Sequence, residues 1–145
     1  AISIFRVVLD TESHTLVARA YCILSQVASQ AGDAPKAAEC CRTAEEIVES
    51  RPFRAAPVTK ARLAEARGLA LHLEGNLDDA AEALEEALEA IVARTGQHSL
   101  ETATCQVALA RVLLDKGAKI GGAEGRAMSL ARGALATRLD KLRVD

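Results

Sequence analysis

The sequence predicts an all-α protein made of antiparallel helix hairpins, and three observations support this prediction. Half of the 145 residues are apolar, yet only 2% are aromatic and tryptophan is absent. The core must therefore consist of Ala, Leu, Val and Ile, which suits closely packed helices. Apolar residues recur at intervals of three to four, the spacing of one helix face. Glycines that can end a helix also recur, with 43 residues from Gly32 to Gly75 and 42 from Gly75 to Gly117.

The clearest hairpin is predicted over residues 58–94. Gly75 can adopt the left-handed conformation that ends a helix, and Asn76 can cap the next helix. Asp79, three residues further on, helps to neutralise the free N–H groups of that helix. Each half of the hairpin has one apolar stripe with helical spacing: Leu63, Ala64, Gly68 and Leu71 in the first half, and Ala80, Leu84, Ala87, Leu88 and Ile91 in the second.

A similar hairpin is predicted over residues 14–50. Its first helix is expected to stop at Ala31-Gly32, where Asp33 can cap the second helix. Pro35 is tolerated because it lies in the first turn of that second helix. The apolar stripes are Val17, Tyr21, Leu24 and Ala28 in the first helix, and Ala37, Cys41, Ala44, Ile47 and Val48 in the second.

Residues 1–10 have helical spacing, and Thr11 or Ser13 can cap a new helix after them. This junction resembles the one that follows the second hairpin, at residues 95–98. We therefore expect residues 1–10 to be the end of a helix of an upstream repeat. Residues 1–145 would then form a single array that is a fragment of a larger protein.

The third hairpin is predicted over residues 99–142, with Ser99 as the first cap. Residues 117–125 hold four glycines, and each glycine costs about 1 kcal/mol inside a helix relative to Ala. This stretch is therefore predicted to be a flexible loop, followed by a last helix over residues 126–142. Residues 51–59 hold two of the three prolines and are predicted to be the loop between the first and second hairpins.

Small residues recur around the three turns and together resemble the tetratricopeptide repeat (TPR). The matching residues are Leu24, Ser25, Gly32, Asp33, Ala37 and Ala44 in the first hairpin, Arg67, Gly68, Leu71, Gly75, Asn76, Ala80, Leu84 and Ala87 in the second, and Leu109, Ala110, Leu113, Gly117, Ala127 and Ala134 in the third. Leu and Ala stand where the family often has aromatic residues, and the third hairpin has a five-residue glycine-containing insertion. The resemblance implies hairpins stacked as a right-handed superhelical array, an α-α superhelix.

The repeat period of 42 to 43 residues exceeds the usual length of about 34. Residues 95–103 resemble the inter-repeat segment of the long-helix subgroup that is similar to kinesin light chains. The family typically binds extended peptides or partner domains in a groove lined by the first helix of each hairpin. The resemblance places nine residues of this chain there: Cys22, Gln26, Arg62, Glu65, Leu69, His72, Val107, Arg111 and Leu114.

Chaperone-binding members of the family use Lys and Asn on this face to clamp a carboxylate. Cys22, Gln26 and Ala66 occupy the matching places here, so that activity is not expected. Arg62, His72 and Arg111 are expected to be exposed together on the concave side. The competing interpretation is a solvated groove, with binding at another surface.

Several functional classes have no support in the sequence. The net charge of −2 shows no excess of basic residues, which a protein that binds nucleic acid would need. No apolar run reaches the roughly 18 residues of a membrane span, and no secretion signal is present. Four cysteines lack C-x-x-C spacing, which favours reduced thiols in a cytoplasmic protein. No metal-binding spacing, nucleophile elbow or phosphate loop occurs, so neither a metal, a cofactor nor catalysis is predicted.

Charge is unevenly distributed along the chain. One helix is acidic, with Asp78, Asp79, Glu82, Glu85, Glu86 and Glu89, and the last helix is basic, with Arg126, Arg132, Arg138, Lys141 and Arg143. Such runs are usually solvated faces. An alternative is self-association, because acidic and basic surfaces of two copies would be complementary.

The sequence therefore predicts a non-enzymatic module that binds a protein or peptide and acts as a scaffold or regulatory arm. The alternative is a ligand-sensing helical-repeat domain, as found in some bacterial regulators. An enclosed pocket with several converging polar groups would favour the alternative, whereas an open groove would favour protein binding.

Overall fold

The structure is a computed structural model that describes the backbone of residues 2–50, 56–120 and 124–142. Side chains are described for residues 14–50, 56–117 and 127–142. Within these ranges the chain forms helices without any strand, which confirms the all-α class. The helices are α1 Ile2–Gln30, α2 Ala34–Glu49, α3 Pro57–Glu74, α4 Leu77–Thr95, α5 Leu100–Ile120 and α6 Glu124–Leu142.

Consecutive helices pack in pairs, α1 with α2, α3 with α4 and α5 with α6. The first pair contacts the second because both α1 and α2 pack against α3. The second pair contacts the third because α4 packs against α5, with a small additional contact between α3 and α5. In the part of the chain that the structure describes, the first pair does not touch the third. Contacts thus follow the order of the sequence, and α1, α3 and α5 are neighbours along one side.

Helix α1 is longer than the sequence analysis predicted. A break was expected near Thr11, but the backbone is helical without interruption over Ile2–Gln30. No glycine or proline lies between residues 2 and 30, and a Thr or Ser inside a helix costs at most about 0.7 kcal/mol. The capping residues alone were therefore too weak to start a new helix.

The predicted loop at residues 117–125 is also wrong in its extent. Helix α5 continues to Ile120 and α6 starts at Glu124, while residues 121–123 lie outside the described part of the chain. Gly117 is buried within α5. A helical glycine costs about 1 kcal/mol, and tertiary packing along a helix of this length outweighs that cost.

Most of the predicted helix ends agree with the structure. Gly32 and Gly75 have φ angles of 78° and 83°, the left-handed values that end α1 and α3. The Asp33 carboxylate accepts a hydrogen bond of 3.2 Å from the Lys36 N–H, as an N-cap does. Asn76 holds the N-cap position of α4, but its side chain donates to Asp79 instead of capping the backbone.

Small residues bring the helices of each pair together. The Ser25 hydroxyl of α1 donates a 2.8 Å hydrogen bond to the Ala37 carbonyl of α2, and both residues are buried. Gly68 of α3 lies in the equivalent place opposite Ala80 and Leu84 of α4. The main core cluster joins α3, α4, α5 and α6, and includes Leu84, Ile91, Cys105, Leu109 and Val112.

Candidate functional site

A concave surface lies along α1, α3 and α5, the first helices of the three pairs. It contains two adjoining cavities that share the side chains of Glu65 and Thr104. The cavity around Arg62, the Arg62 cavity, has a volume of about 250 Å³. The cavity around His72, the His72 cavity, measures about 360 Å³ and reaches as far as α6. Both are open to solvent and they adjoin at Glu65 and Thr104, and together they are called the groove.

A buried carboxyl group forms the shared wall of the groove. Burial raises the pKa of Glu65 above its ordinary value, while the Arg62 guanidinium and a hydrogen bond from Gln26 oppose that shift. The Nε of Arg62 is enclosed and has no hydrogen-bond partner among the described residues. An enclosed donor without a partner costs free energy. Arg62 also lines the Arg62 cavity, although its Nε is too enclosed to contact a molecule bound there.

The opposite rim of the Arg62 cavity is closed by an ion pair. The Arg94 guanidinium at the end of α4 binds the Glu101 carboxylate at the start of α5. Both residues line the cavity with Gln26, Arg62 and Glu65. The cavity is therefore lined by positive side chains, negative side chains and one amide. It can offer hydrogen-bond donors as well as acceptors to a bound polar chain.

The His72 cavity has a more basic rim. His72 of α3 is 2.5 Å from the Asp115 carboxylate of α5, and this contact bridges the two helices. Arg111 of α5 and Arg138 of α6 also line the cavity. Both arginines are exposed, and neither has an ion-pair partner among the described residues. They are exposed cations on the lining of the His72 cavity.

The structure brings most of the predicted groove residues together. Gln26, Arg62 and Glu65 line the Arg62 cavity. The predicted residues that line the His72 cavity are Glu65, Leu69, His72, Val107 and Arg111. Of the three residues expected to be exposed together, only Arg111 is exposed, whereas Arg62 and His72 are half-buried.

Two predicted groove residues lie elsewhere. Cys22 is buried in a small core cluster with Ala44 of α2 and Ala66 of α3, so its placement in the groove was wrong. A small apolar side chain at this position fills the contact between three helices, and the groove begins one turn later, at Gln26. Leu114 is exposed on α5 but lines neither cavity.

Several groove residues were not predicted from the sequence. Thr104 and the Arg94–Glu101 ion pair come from helix ends, and Arg138 comes from a second helix, α6. The Ser29 hydroxyl, on the wall of the His72 cavity, is enclosed without a hydrogen-bond partner among the described residues. A search restricted to first helices could not find Arg138, because this residue lies on α6, a second helix.

The acidic face of α4 is partly engaged within the chain. Asp78 pairs with Lys116 of α5 at 2.5 Å, and Asp79 accepts a hydrogen bond from Asn76. Glu82, Glu86 and Glu89 are exposed. The acidic run thus contributes one bridge between helices in addition to a solvated face.

The cysteines are structural. All four are free and buried. Burial raises the pKa of Cys22 to about 11, and raises those of Cys41 and Cys105 to about 12, so these three thiols are protonated near neutral pH. Among the described side chains, no three His, Cys, Asp or Glu residues are grouped as ligands of a metal ion. No described helix is long and apolar enough to cross a bilayer.

Comparison of the chain with protein-family models, with curated proteins and with solved structures finds no match.

Proposed function

We propose that the chain is a helical-repeat interaction module of the tetratricopeptide type, related to the long-helix, kinesin-light-chain-like subgroup. In this proposal its three hairpins stack as a right-handed superhelix, and the groove along α1, α3 and α5 binds an extended segment of a protein partner. The module is a non-enzymatic scaffold or regulatory arm of a cytoplasmic protein. The cytoplasmic setting is supported by four free, buried thiols.

One observation supports this proposal most strongly, the continuity of the groove across three hairpins. The two cavities share Glu65 and Thr104, so an extended chain could pass from one cavity to the other without leaving the surface. Polar side chains line both cavities, among them Gln26 and Glu65 in the Arg62 cavity and His72 and Arg111 in the His72 cavity. An extended peptide offers backbone donors and acceptors along its whole length, which suits polar side chains that follow one another along a groove.

The test is a peptide-display selection on the folded chain, followed by titration of the selected peptides. Arg111→Glu with Arg138→Glu reverses two exposed cations of the groove and should weaken binding of the selected peptides by about 1–3 kcal/mol, or roughly 5- to 150-fold. Thermal stability should change little, because exposed charges without a partner contribute little to folding.

The matched control is Lys60→Glu with Arg132→Glu. This variant makes the same change in net charge at two exposed residues that line neither cavity. The proposal requires that the control bind the selected peptides as the wild type does. Equal affinity of the groove variant and the wild type would exclude the groove as the binding surface.

The competing function is sensing of a small ligand, and the convergence of Gln26, Arg62 and Glu65 in the Arg62 cavity favours it locally. A thermal-shift screen of small polar metabolites distinguishes the two functions. A ligand that binds only the folded chain raises its melting temperature in proportion to RT ln(1 + [L]/Kd). Ligand sensing would replace peptide binding as the proposed function on two results together. A metabolite would raise the melting temperature of the wild type but not that of Glu65→Gln, and the peptide-display selection would yield no binding peptide.

A further inference from the structure

Glu65 is a buried carboxyl group at a position where the other two hairpins carry apolar side chains. The spacings of 43 and 42 residues between the hairpin turns make Glu65 of α3 equivalent to Cys22 of α1 and to Val107 of α5. Cys22 fills a core cluster, and Val107 is half-buried in the groove. Glu65 is only 9% exposed, and its burial costs free energy that an apolar side chain would not cost. Packing of the helices therefore does not explain why this residue is a glutamate.

The position of Glu65 in the groove offers an explanation. Glu65 and Thr104 line both cavities, so a segment that extends from one cavity into the other passes over Glu65. Gln26 of α1 donates a hydrogen bond to the Glu65 carboxylate. A carboxyl group has two oxygens and can form several hydrogen bonds. The bond from Gln26 therefore leaves Glu65 able to bond a segment that lies in the groove.

The charges of the groove disfavour a cationic segment over Glu65. Four arginines and two glutamates line the two cavities, so a Lys or Arg side chain would meet a net positive charge there. The titratable and charged groups that face Glu65 or line the same cavities are Arg62 and His72 of α3, Arg94 of α4, Glu101, Cys105 and Arg111 of α5, and Arg138 of α6. Helix α2 also packs on α3, but its Glu45 pairs with Arg67, which lines neither cavity. A segment without a cation would displace water from the Glu65 carboxyl group, and this desolvation favours the neutral acid.

We propose that Glu65 binds the partner segment as a neutral acid, and that its carboxyl O–H donates a hydrogen bond to a backbone carbonyl where the segment passes between the two cavities. The other carboxyl oxygen then accepts the hydrogen bond from Gln26. This inference rests on the proposed peptide-binding function. Glu65 positions the segment at the junction of the cavities, and wherever Glu65 is ionised in the free chain, binding takes up one proton from the solvent.

Binding should therefore weaken as the pH rises. Burial already raises the pKa of Glu65 in the free chain, and the bound segment raises this pKa further because it removes water and accepts the O–H bond. At a pH below the pKa of the free chain the neutral acid is already present, so affinity is independent of pH. As the pH rises from this pKa towards that of the complex, affinity falls by up to about tenfold per pH unit, the slope that uptake of one proton gives.

Isothermal titration calorimetry tests the inference with peptides selected from a library without Asp, Glu and His, so that the peptides do not titrate. The wild type should bind more weakly as the pH is raised from about 5 to about 8. At one pH, buffers of different ionisation enthalpy should reveal proton uptake. Glu65→Gln keeps a hydrogen-bond donor and cannot ionise, so at every pH it should bind as tightly as the wild type does at low pH, without proton uptake. Glu65→Val is apolar like Val107 and lacks the donor, so it should bind roughly 2- to 10-fold more weakly than Glu65→Gln at every pH.

The matched control is Glu82→Gln, the same change at an exposed residue of α4 that lines neither cavity, and it should keep the pH dependence of the wild type. His72→Gln should keep this dependence as well, which separates the effect of Glu65 from that of the imidazole in the groove.

Three results would overturn the inference while peptide binding itself stands. They are a wild-type affinity that does not change with pH, an affinity that increases with pH as a cationic segment would require, and loss of peptide binding in a Glu65→Gln variant that circular dichroism shows to be folded. If no peptide binds either the wild type or Glu65→Gln at any pH, the inference and the proposed function both fail.

Discussion

Gly68 is the position at which the packing of the second hairpin can be tested most directly. A Cβ placed on Gly68 would lie 2.5 Å from Cγ and 2.9 Å from Cδ2 of Leu84, and 3.3 Å from the carbonyl oxygen of Ala80. Carbon atoms in contact normally lie about 3.5–4.0 Å apart. The substitution Gly68→Ala therefore forces Leu84 to move by roughly 1 Å, although Leu84 is fully buried.

The expected loss of stability follows from two opposing effects. Overpacking costs about 1–3 kcal/mol, and the upper half of this range applies because a backbone oxygen also lies close. Replacing a helical glycine by alanine returns about 1 kcal/mol. The free energy of unfolding should therefore fall by about 1–2 kcal/mol in Gly68→Ala, and Gly68→Leu should lose more because its larger side chain must also be accommodated.

Gly133→Ala is the matched control within α6. The nearest neighbour of its added Cβ is the Gln106 side chain at 3.7 Å, an ordinary contact. The same substitution should therefore stabilise the protein there by about 0.5–1 kcal/mol. Urea denaturation followed by circular dichroism measures both effects with one method.

A double-mutant cycle identifies Leu84 as the cause. Leu84→Ala alone should cost about 2–5 kcal/mol, but in that background the Gly68→Ala penalty should largely disappear, giving a coupling of about 2 kcal/mol. Additive effects, or a Gly68→Ala variant as stable as the wild type, would refute the close approach of α3 and α4 at this position.

Two further predictions concern buried titratable groups. The raised pKa of Glu65 means that the folded state holds its proton more tightly than the unfolded state, so stability falls as pH rises from about 4.5 through the folded pKa. Glu65→Gln should therefore be more stable than the wild type in urea at neutral pH, with a difference that vanishes at low pH, and a constant difference would contradict this origin. Iodoacetamide near neutral pH should leave the thiols of Cys22, Cys41 and Cys105 unmodified until denaturant is added, because they are buried and protonated. Peptide mapping measures the labelling of each thiol. Rapid labelling of these three thiols in the native chain would contradict their burial.

Local chemistry explains why some helix ends could be predicted and others could not. Gly32 and Gly75 adopt left-handed angles, and Ser99 accepts a hydrogen bond from the Thr102 N–H, so these ends follow from a single residue each. The expected break near Thr11 and the loop from Gly117 were inferred from weak preferences worth at most about 1 kcal/mol. Such preferences are decided by packing against other helices, which the local sequence does not contain.

The groove could be predicted in part for a similar reason. A hairpin repeat places equivalent positions of α1, α3 and α5 along one side, and five of the nine predicted residues line the His72 cavity as a result. The sequence does not determine which turn of a helix first reaches the groove, because one turn separates a core position such as Cys22 from a groove position such as Gln26. This reasoning considered first helices only, so it did not include Arg138 of α6.

The small side chains of the core explain why charge accumulates around this groove. The first and second hairpins meet through small buried side chains, those of Cys22, Ala44 and Ala66, so neighbouring hairpins can approach closely. Long side chains on the first helices then extend across the narrow space between hairpins and meet one another, as His72 meets Asp115, which lies 43 positions further along the chain. A core rich in aromatic residues would separate these helices and break such contacts. The alanine-rich composition therefore determines both the tight stacking and the polar character of the surface that we propose binds a partner.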